Sequence, residues 1–158
     1  ANGGTLMQAR IIDRITTPEG KVEHVPPQPV GQACTAATAA HLRDFLEGVV
    51  LEGTGKRASL APEIRVAGKT GTSVRYDEKL RAYIKNHYVT SFAGFAPVEK
   101  PQVTCVVMLD DPVAKDHHDV RGGKVASPIF AEVVRETLHH LATRHQKRMN
   151  LAQEGGAK

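Results

Sequence analysis

Apolar residues return every three or four positions along 36–51. Ala39, Leu42, Leu46, Val49 and Val50 share one face of the implied helix, while His41, Arg43, Asp44 and Glu47 point away. Thr35 is placed to cap this helix at its start, and Gly53-Thr54-Gly55 supplies the stop. Upstream, 6–15 is apolar at intervals and is expected to run extended. Thr17-Pro18-Glu19-Gly20 follows as a turn, and Val25-Pro26-Pro27-Gln28-Pro29-Val30 as a polyproline connector. Downstream, the pattern predicts strands at 64–73, 89–95 and 102–109, the last apolar enough for burial on both faces. Asp110-Asp111-Pro112 ends it. The charged stretch between the first two strands reads as an excursion from the sheet, either exposed or gating a cleft.

A final helix is expected over 127–143. Gly122-Gly123 makes a flexible approach, Ser127 a cap and Pro128 the first turn, with an apolar stripe of Ile129, Val133, Val134, Leu138 and Leu141. The tail 145–158 has little to bury and should fray. Connections between the strands are too short for helical crossovers, so the three should be antiparallel neighbours. The order helix, three strands, helix predicts an α+β fold, an antiparallel sheet with helices on both faces.

A chain of 158 residues suffices for one domain with its own core. The net charge of +4 is mild and spread along the sequence, and the three Tyr and four Phe are not interleaved with basic clusters. That pattern argues against nucleic-acid binding. No apolar run reaches membrane-spanning length and no signal peptide opens the chain. It starts at Ala1-Asn2-Gly3-Gly4 without Met, as a piece of something longer would. Cys34 and Cys105 do not make a disulfide framework, and Cys105 reads as a small buried residue in mid-strand.

The chemistry concentrates in Val66-Ala67-Gly68-Lys69-Thr70-Gly71-Thr72-Ser73. On a strand, Lys69 and Gly71 share one face while Thr70 and Thr72 share the other. Gly71 leaves a gap through which a ligand can approach the backbone. On an edge strand the free N–H and C=O groups can pair with an extended peptide, and Lys69 adds a charge suited to a carboxylate or to tuning a neighbouring proton donor. Gly68-Lys69-Thr70 also matches the end of a phosphate loop. That pattern needs glycine where Glu63 stands and a helix starting at the lysine, and both are missing. His117-His118-Asp119 has no second ligand pair at helical spacing and reads as a solvated loop rather than a metal site. His139 and His140 lie on the last helix, where one is expected to face solvent and the other to flank Leu138 and Leu141. No cofactor is expected.

Lys69-Thr70-Gly71-Thr72 resembles one of three motifs that build the active site of penicillin-binding proteins, the others being Ser-x-x-Lys and a Ser-x-Asn of the Ser-Asp-Asn kind. Further stretches resemble class B members of that family in the same order: Ala1-Asn2-Gly3-Gly4-Thr5-Leu6-Met7, Val49-Val50 with Gly53-Thr54-Gly55-Lys56-Arg57-Ala58, Ser91-Phe92-Ala93-Gly94-Phe95-Ala96-Pro97, and Gly122-Gly123-Lys124-Val125-Ala126-Ser127-Pro128-Ile129-Phe130. The likeness runs from about residue 1 to residue 143, which sets the implied transpeptidase portion at 1–144, and is nearest to cell-division transpeptidases of the FtsI type.

The resemblance implies a serine acyl transfer that cross-links peptidoglycan stem peptides ending in D-Ala-D-Ala and is blocked by β-lactams. In it, Lys69 would bond the hydroxyl of the middle motif and help hold the donor carboxylate. Thr70 and Thr72 would contact that carboxylate, the Thr72 N–H would serve the oxyanion, and Gly71 would keep the approach open. None of Ser59, Ser73, Ser91 or Ser127 is followed three residues later by Lys or two residues later by Asn. The resemblance therefore implies about half of a transpeptidase domain, with the nucleophile and two sheet strands upstream, and a strand at 102–109 left with an unpaired apolar edge. It further implies an anchor in the bacterial inner membrane upstream, an extracytoplasmic location and cell-division proteins as partners. The alternatives are a β-lactam-sensing or noncatalytic module on the same fold, and a freestanding interaction domain.

Overall fold

The computed structural model describes residues 1–113 and 120–155. The chain divides into two compact units, Ala1–Leu42 and Arg43–Lys158.

The first unit is built from two short antiparallel pairs: β1 (Thr5–Met7) with β4 (Pro29–Gln32), and β2 (Arg14–Thr16) with β3 (Val22–His24). The stretch 6–15 is thus two strands with a break between them, and Pro29 and Val30 leave the connector to join β4. The expected turn closes β2–β3, with Gly20 at φ +83° and its N–H on the Thr17 carbonyl at 2.9 Å. Helix α1 (Ala36–Leu51) starts where its cap predicts: the Thr38 N–H donates to Thr35 Oγ1 at 3.1 Å.

In the second unit, α1 ends as Gly53 N and Gly55 N both donate to the Val49 carbonyl, at 3.1 and 3.0 Å. A short 3₁₀ turn (Lys56–Ala58) leads to β5 (Ala67–Asp77), β6 (Ala82–Ala96) and β7 (Val103–Asp110), an antiparallel sheet in the order β5-β6-β7. Helix α2 (Gly122–Gly155) covers one face of the sheet. The Phe92 and Phe130 rings meet at 4.6 Å in the centre of that interface, with Val50, Val66, Val107, Ala126, Val134 and Leu138 buried around them. On the opposite face, Leu46 of α1 packs with Ala67, Phe95 and Val98.

Several boundaries differ from the sequence reading. The motif strand expected at 64–73 begins at Ala67, because Ile64 instead bridges back to Leu60. The charged stretch is no excursion. It continues β5 and β6 as a long hairpin in which Tyr76 faces Tyr83 with ring centres 5.2 Å apart, and the Asp77 carboxylate caps the turn at Lys79 N and Leu80 N. The strands expected at 89–95 and 102–109 accordingly become Ala82–Ala96 and Val103–Asp110.

Helix α2 starts at Gly122 rather than at 127 and continues to Gly155 through most of the expected tail. Ser127 is therefore inside the helix, buried, its hydroxyl donating to the Gly122 carbonyl at 3.3 Å. The buried stripe is Ala126, Phe130, Ala131, Val134 and Leu138, while Ile129, Val133, His139 and His140 are exposed. Strand β7 is not buried on both faces: Val107 faces α2, but Val106 and Met108 are each 67% exposed. Glu47, expected to point outward, is only 7% exposed because Arg65 pairs with it. His117-His118-Asp119 lies outside the described residues.

Candidate active site

Strand β5 is an edge of its sheet, so its outer backbone groups have no strand partner among the described residues. Register with β6 sets Lys69 opposite Ala93, Thr70 opposite Phe92, Gly71 opposite Ser91 and Thr72 opposite Thr90. Since Phe92 packs on α2, Thr70 and Thr72 lie on the α2 face while Lys69 and Gly71 lie on the other. The Lys69 ammonium folds along the strand, donating to the Thr70 carbonyl at 2.9 Å and standing 3.4 Å from Thr70 Oγ1.

Each threonine hydroxyl is held from outside the motif. Thr70 Oγ1 shares a 2.7 Å hydrogen bond with Thr54 Oγ1, from the turn after α1. Thr72 Oγ1 accepts from the Gly122 N–H at 3.2 Å, one of the backbone donors that a helix start leaves without an internal partner. Close approach requires the glycines. A Cβ on Gly122 would stand 2.4 Å from the Ser91 carbonyl oxygen and 2.5 Å from that of Gly71, and one on Gly123 would stand 2.1 Å from the Thr54 carbonyl oxygen. Beside Thr72, the buried Thr90 hydroxyl has no hydrogen-bond partner among the described residues.

The same region draws in cations. Pro128 has no N–H to offer the Lys124 carbonyl four residues before it, and Arg57 Nη1 donates to that carbonyl instead, at 3.1 Å. The 3₁₀ turn is thereby tied to the first turns of α2. Between them lies a pocket of about 370 Å³, walled by Thr54, Thr70 and Thr72 and by Lys56, Arg57, Arg121 and Lys124. The arrangement suits an anion, with hydroxyls at fixed positions, an α-helix start and guanidinium groups converging from two separate stretches of chain.

Sequence reasoning singled out Lys69, Thr70, Gly71 and Thr72, and β5 carries all four. It assigned no site role to Thr54, Arg57, Arg121 or Gly122. The glycine neighbours of Thr54, and the paired glycines after Arg121, were the available signal of backbones in close approach.

The Penicillin binding protein transpeptidase domain family matches residues 1–135. Stage V sporulation protein D of Bacillus subtilis is 34% identical over 92% of this chain and 22% of its own length. Penicillin-binding protein PbpB of Mycobacterium tuberculosis is 31% identical over 84% of this chain and 20% of its own. The chain thus spans about a fifth of the length of these relatives. Among solved structures, penicillin binding protein 3 of Mycobacterium tuberculosis superposes with a TM-score of 0.75 at 28% identity, covering 89% of this chain and 32% of that one. The D,D-transpeptidase domain of a peptidoglycan glycosyltransferase from Eggerthella lenta superposes with a TM-score of 0.66 at 32% identity, covering 87% and 30%. On these matches, the chain belongs to the penicillin-binding protein transpeptidase domain family.

Proposed function

We propose that this chain supplies the Lys69-Thr72 wall of a peptidoglycan D,D-transpeptidase whose serine nucleophile lies upstream. The carrying observation is the pair of hydroxyls on β5, Thr70 held by Thr54 and Thr72 by the Gly122 N–H, beside a cationic pocket on an edge strand. The donor peptide lies along β5, pairing with its outer backbone groups. Its terminal carboxylate rests on the Thr70 and Thr72 hydroxyls, and Lys69 adds positive charge at the strand edge. Gly71 keeps the backbone approachable.

The upstream serine oxygen adds to the carbonyl of the penultimate D-Ala, and the Thr72 N–H stabilises the oxyanion that forms. Collapse expels the terminal D-Ala with its nitrogen protonated and leaves an acyl ester on the serine. An amine from a neighbouring strand then takes the acyl group and returns the serine. A β-lactam enters as a mimic of the donor peptide. Relatives support that reading: the penicillin binding protein 3 of Mycobacterium tuberculosis has been solved with ampicillin and with aztreonam. Names such as peptidoglycan D,D-transpeptidase FtsI among the relatives support a role in septal wall synthesis, with a membrane anchor upstream, the domain on the extracytoplasmic side and division proteins as partners. Among the described residues no helix is long and apolar enough to cross a membrane.

The test is fluorescent-penicillin labelling of the parent protein, followed by peptide mapping. A label on a serine upstream of residue 1 is the expected result. A label on Ser59, Ser73, Ser91 or Ser127, or none at all, would overturn the assignment.

A further inference from the structure

The pocket beside Thr70 and Thr72 carries more positive charge than one carboxylate uses. A single carboxylate on the two threonine hydroxyls would leave Lys56, Arg57 and Arg121 unmatched, and among the described residues no carboxylate forms an ion pair with any of the three. The cations are also placed rather than scattered. Lys56 and Arg57 sit on a 3₁₀ turn whose Ala58 is fully buried, and Arg57 is fixed to the Lys124 carbonyl. Arg121 immediately precedes α2, whose start is wedged against Gly71 and Ser91. A pocket of about 370 Å³ has room for several non-hydrogen atoms beyond a carboxylate. Guanidinium forks recognise a planar oxyanion in a defined orientation, and a concave site of one sign concentrates its field.

We propose that the space between the Lys56–Ala58 turn and the start of α2 is a second anion subsite, which takes a further carboxylate of a ligand whose first carboxylate rests on Thr70 and Thr72. The proposal rests on the transpeptidase reading for the first carboxylate. Arg57 and Arg121 are its specificity-determining residues, and a dianionic ligand is its preferred class.

The parent protein tests this with two cephalosporins that share the ring carboxylate and acyl side chain. One bears a carboxylate on the neighbouring ring substituent and the other its neutral amide. Each is assayed by competition against fluorescent penicillin for the second-order acylation rate. The diacid should acylate about tenfold faster at low ionic strength, with the advantage shrinking as salt is added. Arg121→Gln and Arg57→Gln should each lower the ratio of the two rates, and the double variant should bring it near one. Arg57→Gln also removes the bond to the Lys124 carbonyl, so Arg121→Gln is the cleaner arm. Lys85→Gln, an equal loss of charge on the exposed hairpin, should leave the ratio where it was. Equal rates in the unmodified protein, or a preference that survives loss of both arginines, would overturn the subsite while leaving the transpeptidase reading intact. Acylation by neither cephalosporin nor penicillin would overturn that reading, and the subsite with it.

Discussion

Arg65 grips Glu47 with two parallel hydrogen bonds of 2.6 Å, Nε to Oε1 and Nη2 to Oε2, and its remaining nitrogen reaches Glu99 at 2.6 Å. The two carboxylates hold the guanidinium proton tightly, raising the arginine further above its already high range. The Arg65 carbonyl also accepts from Val98 N, whose own carbonyl accepts from Arg43 at 3.3 Å. One side chain thus joins α1 to the segment entering β5 and to the link after β6. Arg65→Met strands the buried Glu47 carboxylate without a partner, whereas Arg65→Met combined with Glu47→Leu removes both charges. Thermal unfolding of the parent protein should show the single variant melting lower and the double variant recovering most of the loss. A double variant as unstable as the single one would show that packing, not the stranded charge, sets the cost.

Glu99 gives the same network a pH dependence. Its carboxyl is held below the usual glutamate range, chiefly by a hydrogen bond from its own backbone N–H and further by Arg65. A group with a lowered folded-state pKa stabilises the fold above its unfolded value, and the contribution disappears as pH falls through the folded value. Stability should therefore decline below about pH 4 with a component that Glu99→Gln removes. Melting temperatures of the two proteins across acidic pH should converge at the acid end. Parallel curves would refute the linkage.

Two glycines of opposite character make the next test. At Gly122 an added Cβ meets backbone oxygens of Ser91 and Gly71 at 2.4 and 2.5 Å, atoms that cannot swing aside. Gly122→Ala should push α2 away from β5, lengthen the bond to Thr72 Oγ1 and depress penicillin acylation by an order of magnitude or more. Gly48, in the last turn of α1, has nothing within 4 Å of its would-be Cβ. Gly48→Ala should raise stability by about 0.5–1 kcal/mol through helix propensity and leave acylation alone. Measuring both variants by labelling rate and thermal melt separates loss of site geometry from loss of fold.

Helix α1 was legible because its apolar spacing, the Thr35 cap and the Gly53 stop all agree, and its ends fall at 36 and 51 as expected. The faces of Lys69, Thr70, Gly71 and Thr72 followed from strand alternation alone. The β5–β6 extension was hidden because its order comes from a cross-strand pair, Tyr76 with Tyr83, that charged neighbours mask in a single strand. At the start of α2, local propensity and tertiary contact pull in opposite directions. Gly122-Gly123 reads as a flexible approach and Pro128 as the first turn of a helix starting at 127, yet only glycine fits against Ser91 and Thr54, so the helix starts at Gly122, and Arg57 satisfies the carbonyl that Pro128 leaves without an N–H. Glu47 reads as outward until Arg65 is brought beside it. Thr54, Arg57 and Arg121 could not be grouped with the motif from spacing, since folding alone brings 54–57 and 121–124 to the same face of β5.

Thr54 offers the sharpest test of how the site is held. Its hydroxyl shares a 2.7 Å hydrogen bond with the Thr70 hydroxyl, which the Lys69 ammonium also approaches at 3.4 Å. With Thr54 in place, Thr70 can accept from one neighbour while its own proton points toward a carboxylate in the pocket. Thr54→Val keeps the shape and removes the partner, so the Thr70 hydroxyl is free to rotate and its proton is no longer aimed. The second-order rate of penicillin acylation should fall about tenfold, equivalent to roughly 1.4 kcal/mol of lost transition-state stabilisation. Thr54→Ser restores the hydroxyl and should restore most of the rate, while Thr70→Val should cost at least as much as Thr54→Val. In the Thr54→Val/Thr70→Val double variant the two losses should fall well short of adding, because both act through one hydrogen bond. Fully additive losses would mean that Thr54 acts on the ligand independently of Thr70.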